Sequence, residues 1–117
     1  MLDMNSINRH RIEQRRIQTE FNYAQALKRA DELEEVAQRI RNNIRSELSN
    51  SAYSIKYFWK GNASDKYMLK LSKAIEELET TASNYERVAA TVRETAKRSY
   101  EMELRVIRIA ESRTYKG

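Results

Sequence analysis

Apolar residues recur at steps of three and four along most of the chain, the spacing of an amphipathic helix. In the first half the stripe reads Ile17, Phe21, Ala24, Leu27 or Lys28, Ala30, Leu33, Ala37, Ile40, Ile44, Leu48, Ala52, Ile55 and Phe58 or Trp59. Between Ile7 and Ile17 it weakens, and Arg9, His10, Arg11, Arg15 and Arg16 take its place. In the second half the seam is cleaner: Leu71, Ile75, Leu78, Ala82, Tyr85, Ala89, Val92, Ala96, Ser99, Met102 or Glu103, Val106 and Ile109 or Ala110. Its 4-3-4-3 spacing is that of a coiled-coil seam. The pattern predicts a first helix over about 6–58, a turn at 59–63 and a second helix over about 64–113, within one domain. Asn5 or Ser6 would cap the first helix.

Two stretches punctuate this pattern. The Ser- and Asn-rich run SELSNSAYS lowers helix propensity around Asn50, where a kink or break is one expectation. The apolar period nevertheless passes through it by Leu48, Ala52 and Ile55, which favours one continuous helix. The second stretch is FWKGNASDKY, Phe58 to Tyr67, at the middle of the chain. Gly61 suits a helix stop that needs a positive φ, because glycine adopts it without steric cost. Asn62, with Asp65 three residues on, suits a helix start. With no proline and one glycine besides the terminal Gly117, the chain has little else to turn with.

Each predicted helix would be roughly 75 Å long at 1.5 Å per residue. A hairpin that thin buries one seam per helix, yet Tyr23, Val36, Tyr57, Met68, Leu69, Leu104 and Ile107 lie off the seams. The fold class expected is therefore all-α, a long antiparallel helix-turn-helix hairpin that dimerises into a four-helix bundle. The hairpin and dimer seam would use Phe21, Leu33, Ile40, Ile44, Leu48 and Ile55 on one side, and Leu71, Ile75, Leu78, Tyr85 and Val92 on the other.

Charge changes the picture little. The net charge is +5, but residues 1–60 hold 11 Lys/Arg against 8 Asp/Glu and residues 61–117 hold 11 against 9. Interleaved signs in both halves describe a solvated helical surface more than a phosphate-binding stripe. Clusters remain at Arg9, Arg11, Arg15 and Arg16, at Arg105, Arg108, Arg113 and Lys116, and at Lys56, Lys60, Lys66, Lys70 and Lys73. They keep a basic helical nucleic-acid-binding protein as an alternative, and an anionic membrane or acidic protein as a contact. A purely structural coiled-coil module is the remaining alternative.

Catalytic chemistry finds no footing. One histidine (His10) and no cysteine leave no His/Cys metal set and no nucleophile triad. The carboxylates Glu32, Glu34, Glu35 and Glu76, Glu77, Glu79 lack the Glu-x-x-His pattern of a metal-binding bundle, and they read as solvated faces with partners such as Glu35–Arg39. No glycine-rich phosphate loop is present. The expectation is a non-enzyme without cofactor or metal. The first residues lack the apolar run of a signal peptide and no stretch has the length of a membrane span. Any export would then be independent of a cleaved signal.

The unexplained residue is the tryptophan, Trp59, standing two positions before Gly61 at the predicted turn. Trp59-Lys60-Gly61, followed by Ala63 and the aromatic Tyr67, resembles the motif of the WXG (Esx-like) superfamily of small helical hairpins associated with type VII secretion in Gram-positive bacteria. The motif covers about ten residues, and the hairpin plan covers most of the chain. The resemblance implies a homodimer, or a heterodimer with another small helical hairpin, that is exported folded by a secretion ATPase or accompanies a larger substrate to it. Phe58, Trp59, Gly61 and Tyr67 would form the recognition turn. The chain is longer than the family norm and lacks a C-terminal Tyr-x-x-x-Asp/Glu motif: Ala89 follows Tyr85 by four, and Leu104 follows Tyr100 by four. The partner would then supply that half of the signal. This favours a targeting partner or chaperone, like the small proteins that escort LXG-type toxins, cytoplasmic before export.

Overall fold

The computed structural model describes residues 4–58 and 61–115. Every described residue except Gly61 is helical, in a hairpin-like all-α fold. Helix α1 spans Met4–Asn43, a π-helical turn follows at Ile44–Leu48, α2 spans Ser49–Phe58 and α3 spans Asn62–Tyr115. The absence of proline lets α3 continue for 54 residues without a break. Two compact units divide the chain, residues 1–30 with 90–117 and residues 31–89.

In the first unit, residues of α1 pair with residues of α3 in opposite order. Arg15 reaches Glu103 at 2.8 Å, Arg16 pairs with Glu111, and Tyr23 stacks on Tyr100 with centroids 4.5 Å apart and planes 17° from parallel. The inward positions are Ile12, Thr19 and Ala30 on α1 and Ile107 on α3, all buried, with Tyr23, Ala96, Tyr100 and Leu104 half-buried. Buried Thr19 satisfies its hydroxyl by donating to the Arg15 carbonyl at 2.8 Å, so its burial leaves no orphan polar group.

The second unit holds the end of α1, the π turn, α2, Gly61 and the start of α3. Its buried residues are mostly small: Ala37, Ala82 and Ala89 have no exposure at all and Ser64 is buried too, with Ile44 the one large side chain among the described residues. Alanines at heptad spacing leave room for backbones to approach closely. Leu33, Ile40, Leu48, Ile55, Leu71, Ile75 and Tyr85 are half-buried around them. Arg41 links α1 to α3, pairing with Glu86 at 2.6 Å and donating to Ser83 Oγ at 3.2 Å.

The Ser-rich run interrupts the α-helix earlier than Asn50, which itself lies within α2. At the π turn the Ile44 carbonyl accepts both the Ser49 N–H and, at 2.8 Å, the Ser49 hydroxyl. Ser46 Oγ donates to the Asn42 carbonyl at 2.8 Å. Serine hydroxyls that compete for helical carbonyls loosen the ordinary ladder. The extra residue is absorbed by the wider spacing Ile44, Leu48, Ala52, so all three keep facing inward.

Candidate functional site: the turn between α2 and α3

Gly61 has φ 115°, the left-handed region that side chains avoid. A methyl group added there would meet nothing within 4 Å, so the backbone demands glycine and the surrounding space does not. The Gly61 carbonyl accepts the first helical hydrogen bond of α3, from the Asp65 N–H at 3.1 Å. That places Gly61, not Asn62, in the capping position; Asn62 is already the first helical residue. Asp65 lies in the first turn, where its charge complements the helix dipole. Trp59 and Lys60 lie outside the described residues.

Aromatic side chains crowd this end of the unit and face outward. Phe58 is 78% exposed, Tyr53 67%, Tyr57 64% and Tyr67 53%, with Leu69 beside them at 74%. Tyr53 stacks on Tyr57 at 5.8 Å, and Phe58 meets Tyr57 edge-on at 5.3 Å. Phe58 and Tyr67 line a shallow, open depression with Ser54 and Ile55, which brings two of the residues assigned to the recognition turn together.

The seam residues fare unequally. Leu33, Ile40, Ile44, Leu48, Ile55, Leu71, Ile75, Tyr85 and Val92 are buried or half-buried, while Leu78 sits at the exposed margin. Phe21 and its neighbour in the expected stripe, Ile17, point outward, at 56% and 54% exposed. Thr19 and Tyr23 take the inward positions instead. On α3 part of the seam shifts by one residue after Ala96: Tyr100 and Ile107 face inward in place of Ser99 and Val106, while Glu103 and Ala110, the alternatives to the exposed Met102 and Ile109, stay half-buried. On α1 the cause is the step. The expected α1 stripe reaches back from Ala30 through Leu27, Ala24 and Phe21 in successive threes, whereas the inward positions Arg16, Tyr23, Ala30, Ala37 and Ile44 keep a seven-residue repeat, so the two part company below Leu27.

The polar links of the first unit escaped the apolar pattern altogether. Tyr100 donates to Glu20 at 2.6 Å, and this bond, with burial adding to it, raises its hydroxyl above the ordinary tyrosine value. The hydrogen bond from Arg15 holds Glu103 below the ordinary carboxylate value, and that from Arg41 does the same for Glu86. Spacing offered one signal: Arg16, Tyr23, Ala30, Ala37 and Ile44 are seven apart. The expected Glu35–Arg39 pair is present at 3.8 Å. Among the described residues no cluster of acidic or histidine side chains is arranged to hold a metal, and no helix is long and apolar enough to cross a membrane. No protein-family model, curated protein or solved structure matches the chain.

Proposed function

We propose that this protein is a non-enzymatic partner in type VII secretion, of the WXG kind. Its α1–α2 and α3 arms would form a long antiparallel hairpin, two of which pack as a homo- or heterodimeric four-helix bundle. It acts as an exported substrate or, in the absence of a Tyr-x-x-x-Asp/Glu motif, as a targeting partner for a larger toxin of the LXG type, presented to the secretion ATPase. The observation that carries this reading is the helix break between Phe58 and Asn62, with Gly61 at φ 115° two residues after the chain's single tryptophan. Support for pairing comes from large apolar side chains left exposed in the single chain, among them Ile17, Phe21, Val88, Met102 and Ile109.

The test is co-expression with neighbouring small helical proteins and candidate toxins, followed by native mass measurement and a delivery assay. The expected result is a two-hairpin complex whose mass and helicity survive Trp59→Ala while delivery of the larger partner is lost. Retained delivery would leave a structural coiled-coil module, and a strictly monomeric protein would defeat the bundle.

A further inference from the structure

Lysine and arginine are segregated along this chain. Five of its eight lysines, Lys56, Lys60, Lys66, Lys70 and Lys73, fall within 18 residues around the turn, and no arginine lies between Arg45 and Arg87. Asp65 is the only carboxylate between Glu47 and Glu76. Elsewhere arginine pairs with carboxylates, as in Arg15–Glu103, Arg16–Glu111, Arg41–Glu86 and Arg98–Glu94. Lys56, Lys66, Lys70 and Lys73 make no ion pair with a described residue. They share the end of the second unit with the exposed Tyr53, Tyr57, Phe58, Tyr67 and Leu69.

We propose that this lysine-and-aromatic end is a docking surface for an anionic lipid bilayer. Lysine stems lie along apolar surface while their ammonium groups stay hydrated, and tyrosine rings settle at the same headgroup level. Together they describe a peripheral contact, in which apolar area and attraction to anionic lipid act in concert. An acidic protein or a nucleic acid would instead call on the planar arginine fork, which this chain uses for its own carboxylates and omits here.

The experiment is flotation of the full chain with vesicles of phosphatidylcholine alone or mixed with phosphatidylglycerol. The expected result is binding to the anionic vesicles alone, weakening as salt rises. Each lysine near the surface is worth roughly a fivefold change in partitioning, so Lys66→Glu with Lys70→Glu lowers binding more than about tenfold. Phe58→Ser lowers it at high and low salt alike, and Arg105→Glu with Arg108→Glu in the other unit leaves it within about twofold. Circular dichroism verifies that each variant stays helical. Equal binding to neutral vesicles, no binding at low salt, or equal loss in the arginine control overturns the proposal. So does tighter binding to a single-stranded oligonucleotide or to polyglutamate that the lysine pair abolishes, which would reassign the surface.

Discussion

The two units of this chain solve the same problem with different chemistry. The second unit brings helices together over alanines, three of them with no exposure, and leaves the aromatics near the turn, Tyr53, Tyr57, Phe58 and Tyr67, outside. The first unit packs larger side chains inward, Ile107 and the Tyr23–Tyr100 stack, and ties its arms with Arg15–Glu103, Arg16–Glu111 and Tyr100–Glu20. Close approach of small residues is sensitive to added volume. A side-chain-filled interface is sensitive to deletion, and its polar links make it sensitive to pH. Where a helix pair places its bulk, inside or out, thus decides which perturbations it resists.

Volume changes should separate the two most strongly. Ile107→Ala is expected to cost about 3 kcal/mol, the usual penalty for emptying a buried aliphatic site, and to raise hydrogen exchange first in residues 4–30 and 90–115. Ala89→Leu does the converse by overfilling a fully buried alanine site, at about 2 kcal/mol, with faster exchange first in residues 31–89. Uniform loss of protection from both variants, read by mass spectrometry, would break the comparison and make the chain one cooperative block.

A smaller effect is expected at the turn. Gly61→Ala costs roughly 1–2 kcal/mol from the backbone alone, because φ is 115° and the added methyl meets no neighbour. Chemical denaturation measures it, and a D-alanine placed at 61 by synthesis should recover most of the loss. No recovery would mean that the glycine is required for something beyond its conformation.

The gentlest probe is pH. Glu103 and Glu86 both have lowered values, so what each contributes is present above the ordinary carboxylate range and lost as pH falls through the folded value. That acid sensitivity touches both units. Tyr100 is raised, so its contribution is present below the ordinary tyrosine value and lost as pH rises through the folded one. Alkaline loosening should therefore begin in the first unit. Tyrosinate absorbance should show the Tyr100 ring titrating late, and Glu20→Gln should return it toward the ordinary value.

Much of the helical fold was legible because periodicity is strongest where burial is strongest. Ala30, Leu33, Ala37, Ile40 and Ile44 were placed on the inward face by spacing alone, and that is where they lie. Legibility failed at Phe21 and Ile17, which an apolar stripe claims although the polar Thr19 holds the inside. Hydrophobicity cannot reveal a face whose side chains are satisfied by hydrogen bonds and ring stacking. At the turn, glycine chemistry pointed to a positive φ at Gly61, but the capping position passed to Gly61 from Asn62. Spacing offered Phe58 as a stripe position, with Trp59 as the alternative, yet Phe58 faces outward, since a ring at a helix end can plug the interface or leave it; the exposure of Tyr67 had no counterpart in spacing.

The π turn at Ile44–Leu48 works as an indexing device for the turn end. In an α-helix each residue advances the side-chain direction by about 100°, so a surplus residue in an unbroken ladder would re-aim everything that follows. The π turn takes that residue up in one wider turn, so Tyr53, Tyr57 and Phe58, which lie after it, keep the azimuth of an uninterrupted helix. Removing a single residue between 44 and 48 should restore an ordinary α-helical turn and leave those rings with their present outlook. For this chain, a one-residue deletion there would be a loss of material rather than a change of aim.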